Sequence, residues 1–304
     1  MARRDTLREA IDESVADGQH LYLGGFTHLI PFAAGHEIIR QGVTDLTLAR
    51  ATPDLILDRM IAAGCASRVV FSYAGNPGVG SLRSFRRAVE DDVPAPIELE
   101  EYTHFGMVAR LTAGAEGLPF MPVRTFAGTD LPAVNDRIRR IDSPYEDETV
   151  HTVPPLNPDV AVVRAQRADP DGNAHVWGIV GDVVEAAFAA DTVVLSVEEV
   201  VDPSVIASDP NRTAIPGSVV DYVVEVPYGS HPSYVQGYYD RDNAAYLAWD
   251  EVSESRPSTT AWLEEWVHGV EDHREYLERL GAERLLDLQP GSRYTAPANL
   301  GRYS

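Results

Sequence analysis

Residues 17–26 read DGQHLYLGGF. Asp17 and Gly18 make a turn pair, and the apolar run after it has the length and composition of a buried strand. That run stops on Gly24 and Gly25, where no side chain can pack. Similar runs follow at DLTLAR (45–50), SRVVFSYAG (67–75), ELEE (98–101), DVAVVRAQ (159–166), DTVVLSVEEV (191–200) and VDYVVEVP (220–227). Between them the apolar spacing predicts helices over 33–41, 56–63, 81–90, 103–114 and 183–190. β-Branched strands alternating with helices define a mostly parallel sheet covered by helices, so the fold class is α/β.

The pattern changes near Asn243. DNAAYLAWDEV and TTAWLEEWVHGVEDHREYLERLGAERLLDL read as consecutive helices with no strand between them. The chain therefore divides into an α/β body over 1–242 and a helical extension over 243–304, packed on that body or on a partner chain. Trp249, Trp262 and Trp266 fall at helical spacing beside Leu and Val, which assigns them to packing. The N-terminal MARRDTLREAIDESV reads as an amphipathic helix, and Val134 to Pro155 as one long, charged connection.

The 304 residues include 25 Asp, 22 Glu, 25 Arg and no Lys, for a net charge of −22. The carboxylates are scattered through an apolar-rich chain, so they belong to a folded surface and not to a disordered tail. Such a surface repels polyanions, which excludes nucleic acid and anionic membranes as partners. Many acids with no Lys is the pattern of halophilic proteins, whose carboxylates hold water while salt screens their repulsion. No run is long enough to span a membrane and the N-terminus has no signal-peptide pattern, so the expected location is cytoplasmic. Cys65, the single cysteine, lies in an apolar stretch before a strand and reads as a small core residue.

Three segments carry candidate chemistry. In a parallel sheet, ligands meet the carboxyl ends of strands, so Gly24, Gly25 and Phe26 are a site hint. Neither a GxGxxG fingerprint nor a P-loop is present. SYAGNPGVGS (72–81) is a glycine-rich strand-to-helix connection whose Asn76, Gly78 and Gly80 backbone could face a ligand; a plain tight turn is an equal reading. In ELEEYTH, Glu98 and Glu100 share one strand face and Glu101 the other, close to His104, a pairing suited to acid/base work or simply to a helix dipole. The nine His form no metal-ligand spacing, and no GxSxG elbow occurs.

These motifs resemble the class I coenzyme A transferases, specifically the A (α) chains of the glutaconate and 3-oxoacid types. That family's signature, Asp or Asn then Gly, two residues, three apolar residues and GGF, matches Asp17, Gly18, Leu21, Tyr22, Leu23, Gly24, Gly25 and Phe26. The resemblance continues through SYAGNPGVGS, EEYTHFGMVARLTAGAEGLPFMPVR, NPDVAVVRAQRADPDGNAHVWG, DPNRTAIPG and VPYGSHPSYVQGYYDRDN. It departs at THLIP (27–31), where Ile30 stands near an expected glycine and Pro31 comes one position early.

The resemblance implies a CoA-transferase-like α/β/α fold and ping-pong transfer through a glutamyl-CoA thioester. The glutamate would lie on a partner B (β) subunit, so no catalytic residue is expected in this chain, with Glu101 and His104 as the polar candidates. Gly24, Gly25, Phe26, Asn76, Gly78 and Gly80 would wall the pocket for an acyl-CoA substrate, with a carboxylic acid as acceptor and no permanently bound cofactor. His231 would cap a helix, join an interface or touch ligand. Two rival readings are a thioester hydrolase using a carboxylate of the ELEE segment, and a non-catalytic ligand sensor.

Overall fold

The computed structural model describes residues 2–290, so the last part of the expected helical extension, 291–304, lies outside the described residues. Its strands are β1 (Arg3–Arg4), β2 (His20–Leu23), β3 (Leu46–Ala49), β4 (Ala66–Phe71), β5 (Glu98–Glu101), β6 (Met121–Val123), β7 (Arg139–Asp142), β8 (Thr149–Val153), β9 (Val160–Ala168), β10 (Ala174–His175), β11 (Thr192–Val200), β12 (Thr213–Ile215) and β13 (Tyr222–Glu225). The main sheet runs β1-β13-β11-β9-β2-β3-β4-β5, every neighbouring pair parallel. All seven strands expected from the sequence lie on this path.

Strand alternation sends Leu21 and Leu23 into one buried cluster and Tyr22 into the other, on opposite faces of the sheet. Helices cover both, giving three layers. On the first face lie helices Phe32–Arg40 and Leu55–Ala62. They approach closely because Gly35 has no side chain: a Cβ there would stand 2.3 Å from Ile56 Cγ1. The tail packs on this same face, since Tyr246, Trp249, Leu263 and Val267 share a core cluster with Phe32, Ile56 and Met60. It folds as helices Asn243–Val252, Arg256–Leu263, His273–Leu280 and Ala282–Asp287, with a π-helical turn at Glu264–His268.

Two expectations are corrected. The N-terminal helix covers only Leu7–Ser14, started by a capping box in which Thr6 and Glu9 satisfy each other's backbone N–H. Arg3 and Arg4 instead pair with β13 as an edge strand. The segment 134–155 is not a connection: β7 and β8 form an antiparallel hairpin that binds β6 in a separate three-stranded sheet. Its strands are short and its outward positions charged, so the apolar runs that reveal buried strands are missing there.

The order of the path decides where a ligand goes. From β2 the chain steps outward through β3, β4 and β5, then returns to β9 on the other side of β2 and steps outward again through β11 and β13. β2 and β9 are therefore the switch point, where adjacent connections leave in opposite directions and where sheets of this kind form a crevice beyond the strand ends. Leu23 pairs with Val162, while β9 continues to Ala168, so β2 stops short and its end lies against the side of β9.

Candidate active site

Gly24 follows β2 at that crevice. Its N–H donates to Val162 O at 2.9 Å, and a Cβ would meet the Val162 and Val163 backbone at 3.3 Å. Gly25 has φ +87°, and a Cβ would stand 2.5 Å from His28 O and 2.6 Å from Leu29 O. Gly25 is thus required by the chain's own packing, since it lets the loop fold back, while a side chain at Gly24 would crowd β9 by a few tenths of an ångström. A side chain at Gly25 would first disturb the fold, so substitution there is not a clean probe of ligand contact.

Beyond them, Thr27 and Leu29 also take left-handed backbone, at φ 59° and 55°. This is the departure from the signature seen in the sequence, and for a β-branched threonine it is a strained conformation. The loop is pinned from outside: Ser233 Oγ donates to Thr27 O at 2.8 Å, and Leu29 N to Tyr234 O at 3.2 Å.

Arg50, one residue past β3, organises the strand end. Its buried guanidinium donates to Gly24 O at 2.7 Å, Gly25 O at 2.9 Å and Thr52 O at 2.9 Å, and pairs with Asp54 at 3.2 Å. Asp54 in turn caps helix Leu55–Ala62 through Ile56 N. A planar donor fork suits converging carbonyls, and the carboxylate balances its buried charge.

Around this clamp the crevice wall is mixed. The half-buried Phe26 ring meets the His104 ring edge-on at 6.0 Å, and His104 Nε2 lies 3.1 Å from Thr52 Oγ1. Beneath them Asp182, 4% exposed, accepts the Tyr22 hydroxyl at 2.6 Å, while its Oδ2 has no hydrogen-bond partner among the described residues. Burial raises the Asp182 carboxyl above its ordinary range and pushes the Tyr22 phenol well up.

The other expected residues fall apart from this cluster. Asn76 and Gly80 close a tight turn through two backbone bonds, and Asn76 Nδ2 donates to Tyr246 O at 3.0 Å, so the turn is fastened to the helical tail. Gly78 forms its tip at φ 76°. Backbone bonds from Ser72 and Tyr73 to Ala51 O still bring this loop to the same sheet end as Arg50. Glu101 is exposed on the edge strand, its carbonyl held by Asn135 Nδ2 at 2.8 Å.

Glu98 and Glu100 share Arg68, as the expected common face requires. Glu100 is buried and engaged, accepting from Arg110 at 2.6 Å and the Tyr102 hydroxyl at 2.7 Å. Burial pushes its carboxyl up, but Arg110, Tyr102 and Arg137 outweigh that and hold it below the ordinary value. Glu100 is therefore a charged structural anchor, ill suited to act as a base. His231 is also internal, bonded to Tyr276 Oη at 2.7 Å and Asp242 at 2.8 Å. Cys65 is buried, its thiol pushed up to about 12 by burial.

Arg50, Thr52 and Asp182 were not candidates in the sequence. An arginine ending a strand of otherwise buried character was the available signal for the first. The others come together only in the fold. Among the described residues no group of three or more His, Cys, Asp or Glu is set to hold a metal, and no helix is long and apolar enough to cross a membrane.

A parallel sheet covered by helices on both faces, with two buried glycines clamped by Arg50 at its switch point, defines a doubly wound α/β protein. The chain belongs to the coenzyme A transferase family, whose model matches residues 4–226. It is 48% identical to the A chain of 3-oxoadipate CoA-transferase from Pseudomonas knackmussii, covering 92% of this chain and 99% of that one. The A chain of glutaconate CoA-transferase from Acidaminococcus fermentans is 37% identical over 97% of each chain. The crystal structure of glutaconate coenzyme A-transferase from that organism superposes with a TM-score of 0.91, covering 97% of this chain and 99% of its counterpart at 36% identity.

Proposed function

We propose that this chain is the A (α) component of a heteromeric CoA-transferase that moves CoA from an acyl-CoA to a small carboxylic acid, dicarboxylic acids included. The end-to-end likeness to two proteins named as the A components of CoA-transferases carries this reading. The strand ends are consistent with it: Asp54 is held by Arg50 and Glu100 by Arg110, as suits a chain whose attacking carboxylate comes from a B chain. The rim next to His104 is apolar, with Phe105 59% and Tyr73 55% exposed, as suits a surface that another chain covers.

In the reaction, a glutamate of the B chain attacks the thioester carbonyl and expels CoA thiolate, forming a mixed anhydride. The thiolate then attacks the glutamyl carbonyl and releases the first acid, leaving a glutamyl-CoA thioester. The acceptor carboxylate reverses both steps. This chain's part is to wall the acyl end with Gly24, Gly25 and Phe26, to keep the two glycine carbonyls turned inward to Arg50, and to offer His104 as a polar contact at the mouth. Asn76, Gly78 and Gly80 shape the adjoining wall, and Glu101 stands at its outer edge.

The test is co-expression with the B chain, incubation with acyl-CoA, and borohydride trapping. A reduced glutamyl adduct on the B chain, with CoA passing to an added acid, is expected. Thioester hydrolysis without acceptor and without adduct would establish the hydrolase instead.

A further inference from the structure

Helix Leu55–Ala62 carries a second buried arginine. Arg59 is 2% exposed, yet it has no ion pair with any described carboxylate. Its guanidinium lies 4.3 Å from the Trp262 ring centre, 4.8 Å from Trp249 and 5.2 Å from Phe32. Nη1 reaches His36 Nε2 at 3.1 Å, and Nε has no acceptor. Burial holds His36 well below its ordinary pKa, so that ring is a neutral acceptor and supplies no counter-charge. The nearby acids are engaged elsewhere: Asp54 with Arg50, and Asp58 with Trp249 Nε1 at 2.9 Å and Phe85 N at 2.8 Å. In a chain with 47 acids to 25 arginines, a buried guanidinium without a carboxylate is conspicuous.

Arg59 lines a cavity of about 240 Å³, walled by Trp249, Trp262, Trp266 and Tyr276, with Arg284 also on its wall. Arg284 and His231 both bond Asp242, so of the two arginines on the wall Arg59 is the one without a carboxylate partner. A dry cavity of about 150 Å³ takes a benzene ring, so this one has room for a ring and a carboxylate. Indole faces favour a flat or aliphatic body, and a guanidinium with a free N–H favours a carboxylate.

We propose that this cavity is a binding site for an organic monocarboxylate, its carboxylate on Arg59 and its apolar part between the indoles, separate from the strand-end crevice. Three of the four tryptophans line it, so binding is read directly by fluorescence.

The full chain, with its partner where they co-purify, is titrated with benzoate and with the neutral isostere benzamide at constant ionic strength. Benzoate should give a saturable change in tryptophan emission and a rise in Tm, and benzamide should not. Arg59→Met should weaken benzoate binding about tenfold or more, the loss expected for a charge-assisted hydrogen bond. Ala248→Leu, which fills the cavity from its exposed side, should abolish the response without lowering the unliganded Tm. If Arg59→Met does not fold, Ala248→Leu decides alone. Equal responses to benzoate and benzamide, no saturable response, or a response that survives Ala248→Leu would overturn the proposal and leave the aromatic cage as the whole environment of Arg59.

Discussion

Arg50 and Arg59 are neighbours on one short segment, the first just before helix Leu55–Ala62 and the second inside it, and both guanidinia are buried. Arg50 has every requirement of its charge met: carbonyls at the end of β2 take its N–H groups, and Asp54 balances it. Arg59 faces rings and a neutral imidazole, and burial draws its pKa down to about 10. The same side chain thus plays two parts. Where carbonyls surround it, it is a staple that fixes the shape of a wall; where rings surround it, it stays polarised toward a cavity and open to an anion.

Breaking the staple should have the largest effect. Arg50→Met leaves Asp54 buried and unpaired beside the stranded Gly24 and Gly25 carbonyls, and should cost about 3–5 kcal/mol in denaturant unfolding with loss of transferase turnover. Arg50→Lys should recover only part, because an ammonium lacks the planar fork that meets several converging carbonyls at once. Unchanged stability in either variant would refute the clamp.

Next comes His28, fully buried in the loop that Gly25 allows, with Nδ1 3.3 Å from Ile179 O and Nε2 3.3 Å from Gln166 Nε2. Burial lowers its pKa from 6.5 to about 4. The unfolded chain then binds this proton first as pH falls, so the contribution of the neutral ring is complete above pH 6.5 and fades toward pH 4. The loss should approach about 3 kcal/mol, and His28→Asn should flatten that part of the stability-against-pH curve. An unaltered slope would show that other groups govern acid unfolding.

Arg59→Met should cost less than Arg50→Met, about 2 kcal/mol, because it removes cation–π contacts and strands no acid. A loss equal to that of Arg50 would erase the distinction drawn between them. His104→Ala should change stability least, within about 0.5 kcal/mol for an exposed side chain, while lowering turnover by about 10-fold or more. Unaltered turnover would remove His104 from the reaction.

The parallel sheet was legible because its strands are buried on both faces and therefore read as apolar runs; the helices between them followed from their apolar spacing. The hairpin of β7 and β8 was not, since RRID and TVHTV are too short and too polar to stand out. At the site, Gly24, Gly25, Phe26 and His104 were visible as residue types at a strand end. Their reasons were not: Gly25 is set by the carbonyls of His28 and Leu29, and Arg50 by partners in another strand. Asp182 meets Tyr22 across more than half of the chain's length in sequence, a contact that only topology can supply.

The margins of the sheet have a consequence for assembly. One edge strand presents Arg3 and Arg4 and the other presents Glu98 and Glu101, all exposed. Adding a further strand at either margin would strip water from those charges, so growth into a ribbon is discouraged at both ends. Association is thereby directed to the open strand ends and the helical faces, and a variant such as Glu98→Val would invite the sheet to extend.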